Sequence, residues 1–261
     1  MYIELLKNRK SVRTFDETKK IDTEILNELS ESINSFKNPF SDNICIKILN
    51  KNDFNLFSKV IKGEEYYIAT KLKRDKNYEV AFGFELESIL INLRKYNIES
   101  VFLASTYEEE NFIKALEVKD DEIIPAVCPI GYKASESSIK DRALRRFCKS
   151  DTRKDIKDLL VNYELFTKDE LEIFSTVLWA PSARNNQPLK IIKEDNYYHF
   201  YINHTKGFSN DLGDVQKIDL GIALANLSLA YKDYNKELEF VYLKKENLSD
   251  NCDYQISVKL A

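Results

Sequence analysis

The sequence predicts an α+β fold built from two related halves. Segments with the 3.6-residue period of helices are mixed irregularly with short alternating segments that are typical of strands. This mixed order favours α+β over a regularly alternating parallel sheet. An internal repeat is the second observation: residues 83–97 (GFELESILINLRKYN) and 221–235 (GIALANLSLAYKDYN) align without a gap. The repeat predicts that residues 1–150 and 151–261 form two halves packed as an internal pseudo-dimer.

Hydrophobic spacing and local start and stop signals predict the individual elements. The predicted helices are residues 2–9, 21–33, 53–61, 79–96, 108–117, 151–161, 167–179 and 215–234. The predicted strands are residues 43–49, 66–72, 99–105, 123–132, 190–195, 197–203, 237–243 and 253–260. Thr167 and Glu170 have the spacing of a capping box, and Asp195-Asn196 is typical of a hairpin turn. Helix 79–96 is apolar on more than one face, which predicts a central position.

Composition excludes several classes of function. The net charge of −4 argues against a nucleic-acid-binding protein, and no apolar run approaches the ~20 residues that cross a bilayer. Two histidines and no C-x-x-C pair leave no credible metal site. No G-x-S-x-G, P-loop or G-x-G-x-x-G motif supports a hydrolase, an NTPase or a Rossmann cofactor site. The four cysteines and the absence of an apolar leader predict reduced thiols in a cytoplasmic protein.

Residues 180–188 (APSARNNQP) form the most informative segment of the chain. Pro181 and Pro188 fix φ and remove backbone donors, so the segment is a shaped loop between a helix and a strand. Its amide side chains offer the donors and acceptors that a heterocycle with imide and carbonyl edges would use. An ordinary helix-to-strand loop is an equally good interpretation of composition alone.

Residues 9–15 (RKSVRTF) form a second candidate segment. Three cations and a hydroxyl within five residues provide charge neutralisation and hydrogen-bond donors for a phosphate. A solvated basic patch is the alternative interpretation, since most short basic segments are only that.

Together the two segments resemble the FMN-dependent nitroreductase family. Its members typically carry an Arg-Arg-Ser-x-Arg-x-Phe start and an Ala-Pro-Ser-x-x-Asn-x-Gln-Pro-Trp motif, both early in a chain that forms homodimers. Here the two motifs lie about 170 residues apart, which is similar to the small subgroup in which one chain mimics the dimer. The resemblance implies a nitroreductase-like fold, a monomer with an internal pseudo-two-fold, and one composite FMN site per chain.

The resemblance also implies which residues bind FMN. They are Arg9, Lys10, Ser11 and Arg13 from the first half, Pro181, Ser182, Ala183, Asn185 and Gln187 from the second, and Arg145 or Arg146 from the basic run DRALRRF. Arg9 and Ser11 would hold the phosphate or ribityl chain, and Arg13 would lie nearer the pyrimidine edge. Asn185 would donate to the flavin, while Gln187 would either contact it or brace the loop. The arginines at 145 and 146 could equally form a solvated patch at a helix end.

Two departures from the family pattern leave the activity open between two hypotheses. Ala104 and Ser105 lie where the family has glycines near the flavin ring, and Leu189 replaces the tryptophan after Gln-Pro. The first hypothesis is an oxidoreductase that takes hydride from NAD(P)H and reduces a small-molecule acceptor, such as a nitroaromatic or quinone, by a ping-pong scheme. The second is a flavin-binding or degenerate protein without reductase turnover. The sequence does not identify the acceptor or choose between NADH and NADPH.

Overall fold

The computed structural model of the protein describes residues 1–210 and 213–261. Its helices are α1 (Tyr2–Lys7), α2 (Thr23–Ser35), α3 (Lys51–Phe54), α4 (Tyr78–Leu93), α5 (Glu109–Leu116), α6 (Ile139–Phe147), α7 (Ile156–Leu159), α8 (Lys168–Trp179) and α9 (Val215–Lys232). Its strands are β1 (Ile44–Asn50), β2 (Tyr66–Lys73), β3 (Ile98–Ser100), β4 (Glu122–Ile123), β5 (Val127–Tyr132), β6 (Leu189–Glu194), β7 (Tyr197–Asn203), β8 (Ser209–Asn210), β9 (Gly213–Asp214), β10 (Leu238–Val241) and β11 (Cys252–Leu260). Every pair of neighbouring strands is antiparallel, so the α+β prediction is confirmed.

The chain divides into two compact units that are discontinuous in sequence. Unit 1 contains residues 1–8, 83–88 and 151–261. Unit 2 contains residues 9–82 and 89–150. The division into related halves at residue 150 stays a prediction.

Unit 2 is built on a sheet in which the strands lie in the order β1-β2-β5-β3, with β4 beside β2. Strands β1 and β2 are long and rich in β-branched residues, and Ile48 lies opposite Ile68 in their register. One face of this sheet packs on α5, where the rings of Tyr67 and Phe112 meet edge to face at 5.1 Å. Both side chains are fully buried, so this contact lies at the centre of the hydrophobic core of unit 2.

Unit 1 is built on a sheet in the order β10-β11-β7-β6, with α8 and α9 packed together. Thr167 and Glu170 form the predicted capping box at the start of α8. In the buried contact between the two helices, the side-chain amide of Asn226 donates to the carbonyl of Thr176 at 3.0 Å. Helix α1 belongs to the same unit, where the backbone N–H of Ile3 donates to Asp233 at 2.9 Å.

The two sheets have the same order of strands along the chain. When the strands of each sheet are counted in chain order and the short β4 is left out, they lie side by side in the order first, second, fourth, third. The first and third strands are therefore the edges of both sheets. In each, a long helix (α4 or α9) joins the second strand to the third. This shared topology agrees with the internal repeat, because residues 83–97 and 221–235 begin within these two helices.

Gly83 allows a close approach to α9 within unit 1. A Cβ atom at this position would lie 2.2 Å from the carbonyl oxygen of Ile218 and 2.9 Å from the backbone nitrogen of Ile222. Real Cβ atoms do not tolerate such distances, so only glycine fits here. Helix α4 is buried along most of its length, as its apolar sequence predicts.

Several predicted elements are wrong in extent. The helix predicted at 53–61 ends after one turn, because Asn55 adopts a left-handed conformation (φ 53°). The helix predicted at 151–161 begins only after its N-cap residue Asp155. The strand predicted at 99–105 ends at Ser100, and the one predicted at 123–132 is interrupted around Pro125, which has no backbone donor for a ladder. Helix α6 is absent from the predicted elements.

Candidate functional site

The basic segment 9–15 runs as an extended chain through unit 2. The backbone N–H of Val12 donates to the carbonyl of Ser100 at 3.0 Å, and that of Phe15 donates to the carbonyl of Lys62 at 2.8 Å. Phe15 is buried, so an apolar side chain anchors the end of the segment. The backbone that carries Ser11 and Arg13 is therefore fixed by the sheet and the adjacent loop.

Arg13 pairs with an acid that the sequence did not single out. Its Nη1 atom lies 3.3 Å from Oδ1 of Asp141, which is almost completely buried in the first turn of α6. The N-terminus of a helix favours a carboxylate, and Ser138 caps the same turn by accepting from the backbone N–H of Asp141 at 3.1 Å. Arg13 therefore has a fixed direction, and part of its charge is neutralised.

Arg145 joins this group from the other end of α6. Its Nη1 atom donates to the carbonyl of Ser11 at 3.1 Å. Arg146 and Lys10 are exposed, whereas Arg9 is buried. Unit 2 thus brings together Ser11, Arg13 and Arg145, and it leaves Arg146 at the surface.

The loop of residues 180–188 lies in unit 1, between α8 and β6. Three residues other than glycine have a left-handed backbone: Arg184 (φ 50°), Asn185 (φ 56°) and Gln187 (φ 49°). Each such residue costs on the order of 1–3 kcal/mol, and such strain is concentrated at ligand-binding sites. The loop must therefore be held in place by strong local contacts.

Contacts within the loop provide part of this support. Oγ of Ser182 accepts from the backbone N–H of Gln187 at 3.0 Å, and the carbonyl of Ser182 accepts from the N–H of Asn185 at 2.9 Å. The side chain of Gln187 donates to the carbonyl of Asn185 at 3.2 Å and accepts from the N–H of Lys154 at 3.0 Å. Of the two roles expected for Gln187, these contacts match the bracing of the loop.

Asn185 contacts the chain just before α7. Its Nδ2 atom donates to the carbonyl of Thr152 at 3.1 Å, and its Oδ1 atom accepts from Arg153 at 3.4 Å. Its side chain is half-buried, so it braces the loop at a position that a ligand can still reach.

Asp219 is the functional candidate that the sequence reasoning missed. It lies on α9 and is almost completely buried, and both of its oxygens accept from the N–H of Ala183, at 3.0 and 3.2 Å. Burial raises the pKa of Asp219, and the negative charge of Asp214 adds to this effect. The hydrogen bond from Ala183 acts in the opposite direction, and the resulting pKa is about 8. An acid within the otherwise apolar run of this helix was the available signal.

A pocket lies between this loop and the helices of unit 1. Its cavity volume is about 20 Å³, which is room for about one water molecule. Ser182, Gln187 and Asp219 line it together with Lys154, and apolar side chains such as Leu159 complete its wall. Burial lowers the pKa of Lys154, and the nearby charge of Lys190 lowers it further. The pocket is therefore a small recess beside the loop, with a few polar groups in an apolar wall.

Other kinds of site find no support in the described parts of the chain. Among residues 1–210 and 213–261, no three His, Cys, Asp or Glu side chains gather closely enough to hold a metal ion. Within the same residues, no helix combines the length and the apolar character needed to cross a membrane.

Comparison with known proteins gives a consistent family match. The family model described as "Putative TM nitroreductase" matches residues 2–231. A solved structure of a nitroreductase from Thermotoga maritima is 21% identical and has a TM-score of 0.64, covering 99% of this chain and 92% of that one. A nitroreductase family protein from Clostridium novyi is 15% identical with a TM-score of 0.44, over 54% of this chain and 90% of that one. The fold prediction is therefore confirmed by the first of these structures.

One curated relative has a different description. The DNA cross-link repair protein of Saccharomyces cerevisiae is 25% identical over 130 residues, which is 48% of this chain. The chain spans only 19% of the length of that protein. An identity this low, over so small a part of that protein, does not support assigning its activity to this chain.

Proposed function

The chain belongs to the nitroreductase family described above, whose members are oxidoreductases, and we propose that it is an FMN-dependent NAD(P)H oxidoreductase. The observation that carries the proposal is the match of the family over residues 2–231, together with the two motifs at 9–15 and 180–188. When bound, FMN would supply the redox chemistry, which is hydride transfer from NAD(P)H, by way of the flavin N5, to an acceptor such as a nitroaromatic or a quinone.

The residues of unit 2 fit the phosphate end of FMN. Arg145 lies against the backbone of Ser11, and Arg13 is oriented by Asp141, so donors are fixed before any ligand arrives. Lys10 is exposed and adds a further positive charge for an approaching anion. We infer that Arg9, Ser11 and Arg145 hold the phosphate or ribityl chain, and that Arg146 contributes charge at the surface.

The loop of unit 1 fits the polar edge of a flavin. The hydroxyl of Ser182 accepts from Gln187, so its own hydrogen remains for a ligand oxygen. Pro181 is rigid and Ala183 is small, so a planar ring can approach the backbone here. We infer that Pro181, Ser182, Ala183 and Asn185 contact the cofactor, and that Gln187 holds the loop in shape. Arg13 would stabilise negative charge at the pyrimidine edge of the reduced ring.

We also propose that the protein works as a monomer with one FMN. Each motif occurs once in the sequence, so one cofactor per chain is expected. The shared order of strands in the two sheets supports an internal duplication, in which the chain supplies its own partner half. The free cysteines suit a cytoplasmic enzyme.

The test is a visible spectrum of the purified protein, with released flavin quantified against protein. We expect about one FMN per chain, rapid bleaching by NAD(P)H without oxygen, and parallel double-reciprocal plots with an electron acceptor. Intersecting plots would exclude the ping-pong scheme. Protein that neither carries nor takes up FMN would overturn the proposal.

The departures at Ala104, Ser105 and Leu189 favour a second candidate function, which is flavin binding without turnover. Leu189 is buried in the first strand of its sheet, where it packs as a core residue. Flavin that binds but stays oxidised in the presence of NADH and of NADPH would favour this second function over the first.

A further inference from the structure

The peptide group between Ser182 and Ala183 is fixed at both of its polar atoms. Its carbonyl oxygen accepts from the backbone N–H of Asn185 at 2.9 Å, inside the loop. Its N–H points away from the loop and donates to the carboxyl of Asp219 at 3.0 and 3.2 Å. The second contact joins the loop to the rigid, buried helix α9.

The loop depends on such an anchor because its own backbone is strained. Arg184, Asn185 and Gln187 are all left-handed, and such conformations persist only where surrounding contacts enforce them. The contacts of Ser182 and Gln187 lie within the loop or with its neighbour Lys154. Asp219 is the anchor that comes from the buried core.

The chemistry of Asp219 suits a fixed hydrogen-bonding role. Burial raises the pKa of its carboxyl to about 8, so near neutral pH it carries a proton and keeps one oxygen as an acceptor. The charged groups around it are Asp214 at the start of α9, and Lys154 and Asp158 on the pocket wall. A neutral carboxyl has nearly the shape and hydrogen-bonding pattern of an asparagine side chain.

We propose that Asp219 is the positioning residue for loop 180–188, fixing through the N–H of Ala183 the face that the loop presents to the flavin. The inference rests on the proposed function, since it needs the loop to contact FMN. In this proposal Asp219 acts through the N–H of Ala183 and not by a contact of its own with the cofactor. Removing it would let the Ser182–Ala183 peptide turn and would relax the left-handed residues that follow.

The experiment compares Asp219→Ala and Asp219→Asn in the full-length protein. The alanine variant loses the acceptor for Ala183, and we expect FMN to bind about tenfold more weakly, with a shifted flavin absorption band. The asparagine variant keeps an acceptor in the same place, and we expect it to bind FMN within about threefold of the original chain. Circular dichroism and a thermal melt identify variants that fail to fold.

A second measurement tests the anchor without any flavin. Arg184 is exposed within the loop and offers a trypsin site. We expect cleavage after Arg184 to be faster in Asp219→Ala than in Asp219→Asn or the original chain. If the alanine variant does not fold, Asp219→Ser takes its place in both measurements, because the shorter side chain leaves the N–H of Ala183 without its acceptor while a polar group stays in the site.

The outcomes separate the two proposals. An original chain that binds no FMN overturns the proposed function and this inference with it. An original chain that binds FMN, with an alanine variant unchanged in affinity, spectrum and cleavage, overturns only the positioning role. Weaker binding in the alanine variant together with recovery in the asparagine variant supports both.

Discussion

The Nδ1 atom of His199 lies 2.7 Å from the Oγ atom of Ser257, and both side chains are buried in the sheet of unit 1. The contact is part of a chain of hydrogen bonds. Nε2 of His199 lies 3.0 Å from Glu194, and the hydroxyl of Tyr254 lies 2.7 Å from Oγ of Ser257. A neutral imidazole with its proton on Nε2 satisfies every member, since it donates to Glu194 and accepts from Ser257.

Protonation of His199 would reverse the direction of these hydrogen bonds. Nδ1–H would then donate to Ser257, which would donate to Tyr254, whose hydroxyl has the carbonyl of Val241 within 3.3 Å as its last acceptor. A serine, histidine and glutamate in a row resemble a hydrolytic triad. Ser257 is completely buried, however, so no substrate reaches it and the role of the row is structural.

The first prediction concerns His199 and pH. Burial lowers the pKa of His199, the charge of Lys245 lowers it further, and Glu194 opposes both. The stability that comes from keeping this histidine neutral is fully present above the unfolded pKa of about 6.5 and is lost as pH falls toward the folded pKa. In urea unfolding between about pH 7 and 5, His199→Gln should therefore show a smaller decrease in the free energy of unfolding than the original chain.

The other histidine of the chain supplies the matched control. His204→Gln leaves the buried row intact and should keep the part of the pH dependence that His199 causes. Equal slopes in the original chain and in His199→Gln would show that His199 has no such role.

The second prediction concerns Glu170 in the capping box. Burial alone would raise its pKa, but hydrogen bonds from Lys193, Tyr198 and Thr167 outweigh burial and lower the pKa to about 2. This stabilisation is present above the unfolded pKa of about 4.3 and is lost as pH falls through about 2. Glu170→Gln should therefore destabilise the protein at pH 7, and the difference should shrink in acid.

Thermal melts at several pH values between 7 and 3 would measure this difference. The comparison variant is Thr167→Ala, which removes the cap at a cost of about 1 kcal/mol. Because the Thr167 side chain is the last-named contributor to the Glu170 shift, this cost should change less with pH than that of Glu170→Gln. A difference between Glu170→Gln and the original chain that stays constant down to pH 3 would contradict the assignment.

The third prediction concerns the helix contact at Gly83. Gly83→Ala places a Cβ atom 2.2 Å from a backbone oxygen of α9, and neither backbone can move without disturbing the core. We expect a loss of at least about 1–3 kcal/mol in the free energy of unfolding.

Gly207→Ala gives the contrasting case. Nothing lies within 4 Å of the position that a Cβ atom would take at Gly207, so the loss of stability comes only from its φ of +88°. Its loss should be about 1 kcal/mol. If Gly207→Ala lowers the free energy of unfolding more than Gly83→Ala does, then α4 and α9 can move apart to accept the added methyl group.

The fourth prediction concerns Arg13. Arg13→Ala removes a charge-assisted donor and should weaken FMN binding by at least about 1.5 kcal/mol in an equilibrium titration. The same change leaves Asp141 buried without its partner, so stability should fall as well. Asp141→Asn keeps the size of the side chain and the positive charge of Arg13. If that variant binds FMN as weakly as Arg13→Ala while its stability is unchanged, the pairing that orients Arg13 matters as much as its charge; unchanged binding in Arg13→Ala would contradict the contact itself.

Much of the fold follows from local sequence patterns. The capping box, the hairpin at Asp195 and the two central helices could be predicted, because their signals lie within a few residues of one another. The early end of α3 was missed, although Asn55 is a residue type that can end a helix in the left-handed conformation. Helix α6 was missed although its few apolar residues have helical spacing, because the segment is polar overall and its cap at Ser138 passed unnoticed.

The site shows the same limit. The motifs at 9–15 and 180–188 can be recognised in the sequence, but the residues that hold them in place cannot. Asp141 and Asp219 lie 128 and 36 residues from the groups that they hold. Contacts across such separations depend on how the chain folds back, which no short pattern encodes. The sequence therefore indicated which residues could meet a ligand and not which residues hold them in place.

The hydrogen bond from Ile3 to Asp233 joins positions 230 residues apart. A ribosome makes the chain from its N-terminus, so α1 emerges long before its partner in unit 1 exists. All residues of unit 2 have been made once residue 150 has been added, whereas unit 1 combines residues 1–8 and 83–88 with residues 151–261. Residues 1–8 therefore reach their final neighbours late, and until residues 151–261 have been made the apolar side of α1, including Leu6, lacks its native contacts in unit 1.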